Sequence, residues 1–339
     1  MNTVNARHLS EIINKIIQPA KGILAADESL ATITKRFESI RLEPTEENRR
    51  AYRELLFTTP GLSQYISGII LFEESLQQKT TSGLSFVQCL EQQDIVPGIK
   101  VDKGLIPLVN VENDKITQGL DGLTDRVAAY KSQGAKFAKW RAVFQVSPKP
   151  SSLAIKTNAN SLGMYAAICQ HHAIVPIVEP EILIDGSHTL AECAAITEEV
   201  LRSVFKALAK HNVLLEYIVL KPSMVLPGKT AVTQNSISEI AQATIGVFRR
   251  TVPAAVPSIN FLSGGQSPEQ ATAILNAIHQ LSNQPWNLSF SYGRALQDPC
   301  LKIWEGKTEN NLKAQQALLK RARLNSAAML GSYDSSQEV

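Results

Sequence analysis

The segment Ile174-Val175-Pro176-Ile177-Val178-Glu179-Pro180-Glu181 passes from wholly apolar to acidic within one residue. A strand with one face in water alternates apolar and polar side chains. An unbroken apolar run instead belongs to a strand buried on both faces, the situation of parallel sheets covered by helices. The same pattern recurs on either side. Apolar runs at 22–26, 66–72, 95–101 and 135–144 precede it, and runs at 216–220, 259–262 and 288–292 follow, each succeeded by a helix-like period. Ser267-Pro268 reads as an N-cap with proline in the first helical turn, Thr124 as the opening of a helix that Gly134 closes, and helices fit 189–211 and 308–327.

Eight β-then-α units without a Gly/Ser-rich linker predict an α/β fold, a (β/α)8 TIM barrel, as a single domain over residues 1–339. Ahead of it, Leu9, Ile12, Ile13, Ile16 and Ile17 fall on one stripe, which predicts an N-terminal covering helix. A C-terminal helix and a short tail from about residue 325 complete the expectation. The alternative, an open doubly wound sheet, would carry a glycine fingerprint after its first strand, and Gly22 stands alone there.

Thirty-four Lys and Arg against 31 Asp and Glu are spread without a basic run, so nucleic acid is not an expected partner. No stretch of about 18 apolar residues argues for a membrane span. The four cysteines, Cys89, Cys169, Cys193 and Cys300, form no C-x-x-C pair and read as reduced core residues. With no apolar signal core at the N-terminus, the expected compartment is the cytoplasm, or a plastid if a transit peptide has been removed.

In a barrel the chemistry collects at the carboxyl ends of strands. Nearly every apolar run here ends in a polar group: Asp27-Glu28-Ser29, Lys100 with Asp102-Lys103, Lys139 and Arg141, Glu179 and Glu181, Lys221, Ser263-Gly264-Gly265, and Ser291 with Gly293-Arg294. Alternation along a strand puts Lys139 with Arg141, and Glu179 with Glu181, on one face. For any one of these the plain reading is a solvated strand end or a structural ion pair; seven strand ends doing so together point to one site. Lys221 follows Tyr217-Ile218-Val219-Leu220, where partial desolvation disfavours an ammonium and favours an amine able to attack a carbonyl. Gly264, Gly265, Gly293 and Arg294 can offer backbone amides and a guanidinium to an anion.

These residues resemble one family closely, the class I fructose-1,6-bisphosphate aldolases. The matching blocks are 22–29, 45–50, 97–104, 137–141, 175–183, 220–224, 261–267 and 290–296, in family order across about the first 330 residues. The resemblance implies a lyase that cleaves fructose 1,6-bisphosphate reversibly to dihydroxyacetone phosphate and glyceraldehyde 3-phosphate, in glycolysis, gluconeogenesis or the Calvin cycle. It implies Lys221 as the Schiff-base lysine, Asp27 as the base for the C4 hydroxyl, and Glu179 as the general acid-base tuned by Lys139 and Glu181. Ser263, Gly264, Gly265 and Arg294 would hold the C1 phosphate, and Ser29, Lys103 and Arg141, with Arg36, the second. No cofactor or metal is implied, and a homotetramer is.

Two departures stand out. Where the family usually reads Thr-Gly after the first strand's acidic end, this chain has Leu30-Ala31, which leaves a seven-carbon bisphosphate open as the preferred substrate. The family's animal members end in a tyrosine that exchanges the enamine proton. Here the chain ends Gln337-Glu338-Val339, and Tyr333, another tail group or a water would take that step. Two other classes compete with this expectation. A metal-dependent aldolase needs histidine ligands, but His8, His171, His172, His188, His211 and His279 show no ligand spacing and end no strand. A non-catalytic scaffold should have lost one of Asp27, Lys139, Glu179 or Lys221, and all four are present.

Overall fold

The computed structural model describes residues 3–281 and 284–338. Eight parallel strands close into a barrel. In chain order they are Gly22–Ala26, Ile66–Leu71, Val96–Lys100, Phe137–Phe144, Val175–Ile182, Val219–Leu220, Ser258–Phe261 and Asn287–Tyr292, each paired with the next, and the eighth with the first.

Alternation of side chains sorts these strands into two cores. One set, including Leu24, Leu71, Ile99, Trp140, Val178, Leu220 and Phe261, packs outward under the surrounding helices. The other set, Ile23, Ile70, Val96, Phe137, Val175, Ile177 and Val219, fills the barrel's interior together with Leu9, Ile12, Ile13 and Ile16 of helix Thr3–Ile16. The covering helix therefore plugs the amino end of the barrel, each of its four buried aliphatics contributing about 1.5–3 kcal/mol of burial before entropy is subtracted. Close packing inside leaves no room for a side chain at Gly98, where a Cβ would lie 2.1 Å from the Phe137 ring.

Around the barrel, helices start where hydroxyl caps allow. Ser29, Thr45, Ser151, Thr189, Ser236 and Ser267 each accept from a backbone N–H in the first turn of the helix that follows. Leu190–Lys210 and Ile237–Thr251 add full capping boxes with Glu192 and Glu239.

Some boundaries differ from expectation. Thr124 does not open its helix: Leu123–Ser132 begins one residue earlier, after Gly122 in a left-handed conformation at φ 64°. The fifth strand runs on to Ile182, because its partner, the fourth strand, is eight residues long and pairs along its whole length. The sixth shrinks to Val219–Leu220, since Leu215–Tyr217 turns as a 3-10 helix. A 3-10 turn, Thr308–Asn310, also precedes the last long helix, Asn311–Met329. Beyond it Tyr333 packs on the core and donates from its hydroxyl to Glu338 at 2.9 Å, while Glu338 also takes two 2.6 Å bonds from the buried Arg321. The tail's last residue, Val339, lies outside the described residues. All four cysteines are buried and unpaired, and among the described residues no helix is long and apolar enough to cross a membrane.

Candidate active site

The interior face that is apolar at the amino end of the barrel becomes charged at its carboxyl end. On the fourth strand Phe137 is followed on the same face by Lys139 and Arg141; on the fifth, Val175 and Ile177 by Glu179 and Glu181; on the sixth, Val219 by Lys221. Strand pairing brings the charges side by side, with Lys100 opposite Lys139 and Arg141 opposite Glu179. They line a cavity of about 760 Å³.

Four side chains, the buried Lys221, Glu179 and Lys139 and the partly buried Asp27, form a continuous chain of alternating sign. Lys221 Nζ lies 3.0 Å from Glu179 Oε1, Glu179 Oε2 lies 3.2 Å from Lys139 Nζ, and Lys139 Nζ lies 2.7 Å from Asp27 Oδ2. Isolated charges at this depth would cost several kcal/mol each; alternation lets each be balanced by a neighbour. Burial alone would raise the Asp27 carboxyl, but the ammonium groups of Lys139 and Lys221 overcome it and hold the pKa at about 2. Burial would likewise neutralise Lys139, yet Asp27 and Glu179 drive its pKa above the ordinary lysine value. Lys221 is fixed by its backbone, whose N–H donates to Val178 O at 2.8 Å.

Glu181 accepts from Arg141 Nε at 2.5 Å, and although burial opposes ionisation, Arg141 keeps its pKa below the usual carboxylate range. Next to it, a Cβ at position 264 would sit 2.7 Å from Glu181 Oε1 and 2.8 Å from Leu262 Cδ1, so a side chain there would push Glu181 or Leu262 aside. Ser263, Gly264, Gly293 and Arg294 line the cavity beside these groups. Gly265 does not. It stands in the same turn at φ +78°, but faces Ile184 and Lys229.

Across the cavity, Ser29 caps helix Leu30–Glu38 and lines the wall with Thr32, Lys35 and Arg36. Lys103 pairs with Glu73 at 2.7 Å, and Lys100 with Asp102 at 2.6 Å. Arg36 is bound to Glu28, Gln297 and Asp298. Among the described lysines and arginines of the lining, only Lys35 and Arg294 have no carboxylate within ion-pair distance. Lys35 and Thr32 escaped the sequence reading, although the signal was present: a helix starting after Ser29 puts positions 32, 35 and 36 on one face. Ser291 also lines the wall, buried, with its hydroxyl lacking a hydrogen-bond partner. Tyr333 is not part of the lining. Among the described residues no three or more His, Cys, Asp or Glu side chains gather where a metal ion could be held.

Chemically, a lysine amine touching a carboxylate that touches a second lysine is equipped to add to a carbonyl and pass protons along the same line. Comparison with known proteins agrees in kind. The family model for fructose-bisphosphate aldolase class-I matches residues 8–339. Fructose-bisphosphate aldolase 4, cytosolic, of Arabidopsis thaliana is 57% identical over 93% of this chain and 81% of its own length. Fructose-bisphosphate aldolase 1 of Toxoplasma gondii is 55% identical, covering 97% and 91%. Fructose-bisphosphate aldolase from Plasmodium falciparum, solved with TRAP and a small-molecule inhibitor, superposes with a TM-score of 0.97 at 49% identity, over 99% of this chain and 97% of that one.

Proposed function

Since the chain belongs to the class I fructose-bisphosphate aldolases, we propose that Lys221, Glu179, Lys139 and Asp27 carry its reaction on fructose 1,6-bisphosphate. The observation that supports this assignment is the unbroken line of contacts Lys221–Glu179–Lys139–Asp27 at the barrel mouth.

Glu179 takes a proton from Lys221, and the freed amine attacks the C2 ketone to give a carbinolamine. Glu179 returns the proton to the carbinolamine oxygen, which leaves as water, and a protonated imine remains. The Asp27 carboxylate then accepts the C4 hydroxyl proton as the C3–C4 bond breaks. The bonding pair moves into the imine to form an enamine, and glyceraldehyde 3-phosphate departs. A water relays the proton held on Asp27 to C3, and hydrolysis of the imine releases dihydroxyacetone phosphate and restores Lys221 and the Asp27 carboxylate. Lys139 stays protonated throughout and stabilises both carboxylates. The C1 phosphate is held by Ser263, Gly264 and Arg294, with Gly265 shaping the turn. The second phosphate lies toward Ser29, Lys103, Arg141 and Arg36, and Lys35 adds an unpaired cation there.

The test is borohydride reduction in the presence of fructose 1,6-bisphosphate, followed by peptide mapping. A sugar adduct on Lys221 is expected, and its absence would overturn the assignment. Activity in excess chelator should persist. The whole chain acts as one domain and as a homotetramer in the cytoplasm; the compartment, though not the assembly, is supported by the Arabidopsis thaliana and Spinacia oleracea relatives, named as cytosolic and cytoplasmic.

A further inference from the structure

Arg36 enters the cavity wall already occupied. Its Nη1 is bonded to Glu28 and, at 3.1 Å, to Gln297 Oε1; its Nη2 lies 3.0 Å from Asp298 Oδ1. Glu28 takes a second arginine, Arg53, at 2.6 Å. Two guanidinium groups and two carboxylates thus form a closed group with no net charge. The side chains of Arg36 and Glu28 are each 10% exposed and that of Arg53 only 4%; Asp298, at 37%, is the member that reaches toward water. Asp298 also stands one helical turn after Arg294 on helix Arg294–Trp304, so it shares a face with the cavity's other phosphate-side arginine. Burial raises the pKa of its carboxyl above the ordinary aspartate value, Arg36, Arg294 and Lys302 pull it back down, and Glu28 adds to the rise.

A dianion approaching Arg36 meets an ion pair rather than a bare cation, and the field of a pair falls off far faster with distance than that of a single charge. We infer that Asp298 is a specificity-determining residue. By neutralising Arg36 it weakens the pull of the cavity's outer end on a second phosphate, so that substrates with one and with two phosphates are bound more evenly than the row of cations would allow. The inference rests on the functional reading above, in which the second phosphate lies near Ser29 and Arg36. Asp298 lies behind Arg36, outside the cavity lining, and acts through it.

Asp298→Asn keeps the acceptor oxygen and the shape and removes the charge. KM and kcat are measured with fructose 1,6-bisphosphate and with fructose 1-phosphate, which lacks the second phosphate. The bisphosphate KM should fall about three- to tenfold at low ionic strength, and less at high salt, while the monophosphate KM and both kcat values stay within about twofold. In an Arg36→Gln background the same change should leave the ratio of the two KM values unaltered. A bisphosphate KM that is unchanged or raised, or equal shifts for both substrates, would overturn the inference. Should Asp298→Asn fail to fold, Asp298→Ser is read by the same criteria. The functional reading fails separately: no borohydride adduct on wild-type Lys221 would refute it, whereas a normal adduct with an unshifted KM would refute the role of Asp298 alone.

Discussion

Lys139 makes no bond to the sugar in the proposed reaction, yet it is the side chain on which the other three depend. It holds Asp27 and Glu179 at 2.7 and 3.2 Å, and removing it leaves two buried carboxylates facing each other. Lys139→Met, close in shape and uncharged, should lower kcat by about 10²-fold or more and cost about 3–5 kcal/mol of stability. Steady-state kinetics and urea denaturation check both, and a kcat close to wild type would remove Lys139 from the machinery. Asp27 makes a prediction about acid. Its folded pKa of about 2 lies below the ordinary 3.8, so its contribution is fully present above pH 3.8 and is lost as pH falls through 2. That contribution is about 2 kcal/mol. Asp27→Asn should therefore flatten the decline in urea midpoint between those pH values, and an unaltered decline would contradict the pairing. These charged residues were legible in the sequence because each ends an apolar run. The order in which they touch was not, since it depends on strand register, which periodicity alone does not fix.

At the level of single elements, apolar runs located all eight strands, but their ends were read less well than their centres. The fifth apolar run stops at Val178 with Glu179 and Glu181 at its end, whereas the strand continues to Ile182, because polar side chains facing the mouth interrupt the apolar signal without interrupting the hydrogen bonding to the fourth strand. Tyr217, apolar in pattern, turned out to belong to a 3-10 turn, where the chain must climb from helix Leu190–Lys210 back to the sheet. Gly265 was grouped with Gly264 because the two are adjacent. Its left-handed backbone turns it to the other side of the loop. The covering helix was read from its stripe alone, and its partner inside the barrel could not be. Leu9 is completely buried against that interior. Leu9→Ala should cost about 2–5 kcal/mol, measured by denaturant unfolding, with kcat nearly unchanged because the plug lies at the end opposite the site. A loss below about 0.5 kcal/mol would mean that the helix merely rests on the barrel.

For the molecule as a whole, closure of the sheet was foreseeable from eight repeated units and a missing glycine fingerprint. The proposed tetramer has no such basis in the sequence, since no pattern in the chain marks which exposed apolar residues a neighbour would cover. Sedimentation equilibrium at micromolar concentration should give a mass four times the 37.1 kDa of one chain, and a single-chain mass would refute the proposed assembly. The apolar plug has a last consequence, for traffic. Among the described residues, Leu9, Ile12, Ile13 and Ile16 fill the amino end of the barrel, so traffic to the charged cavity runs through the carboxyl end. In the proposed reaction the aldehyde half of a cleaved sugar would be free to go at once, while the ketone half would still be tethered to Lys221. Departure would then be sequential, and aldehyde accumulating outside the mouth would re-enter onto a waiting enamine and run the reaction backwards.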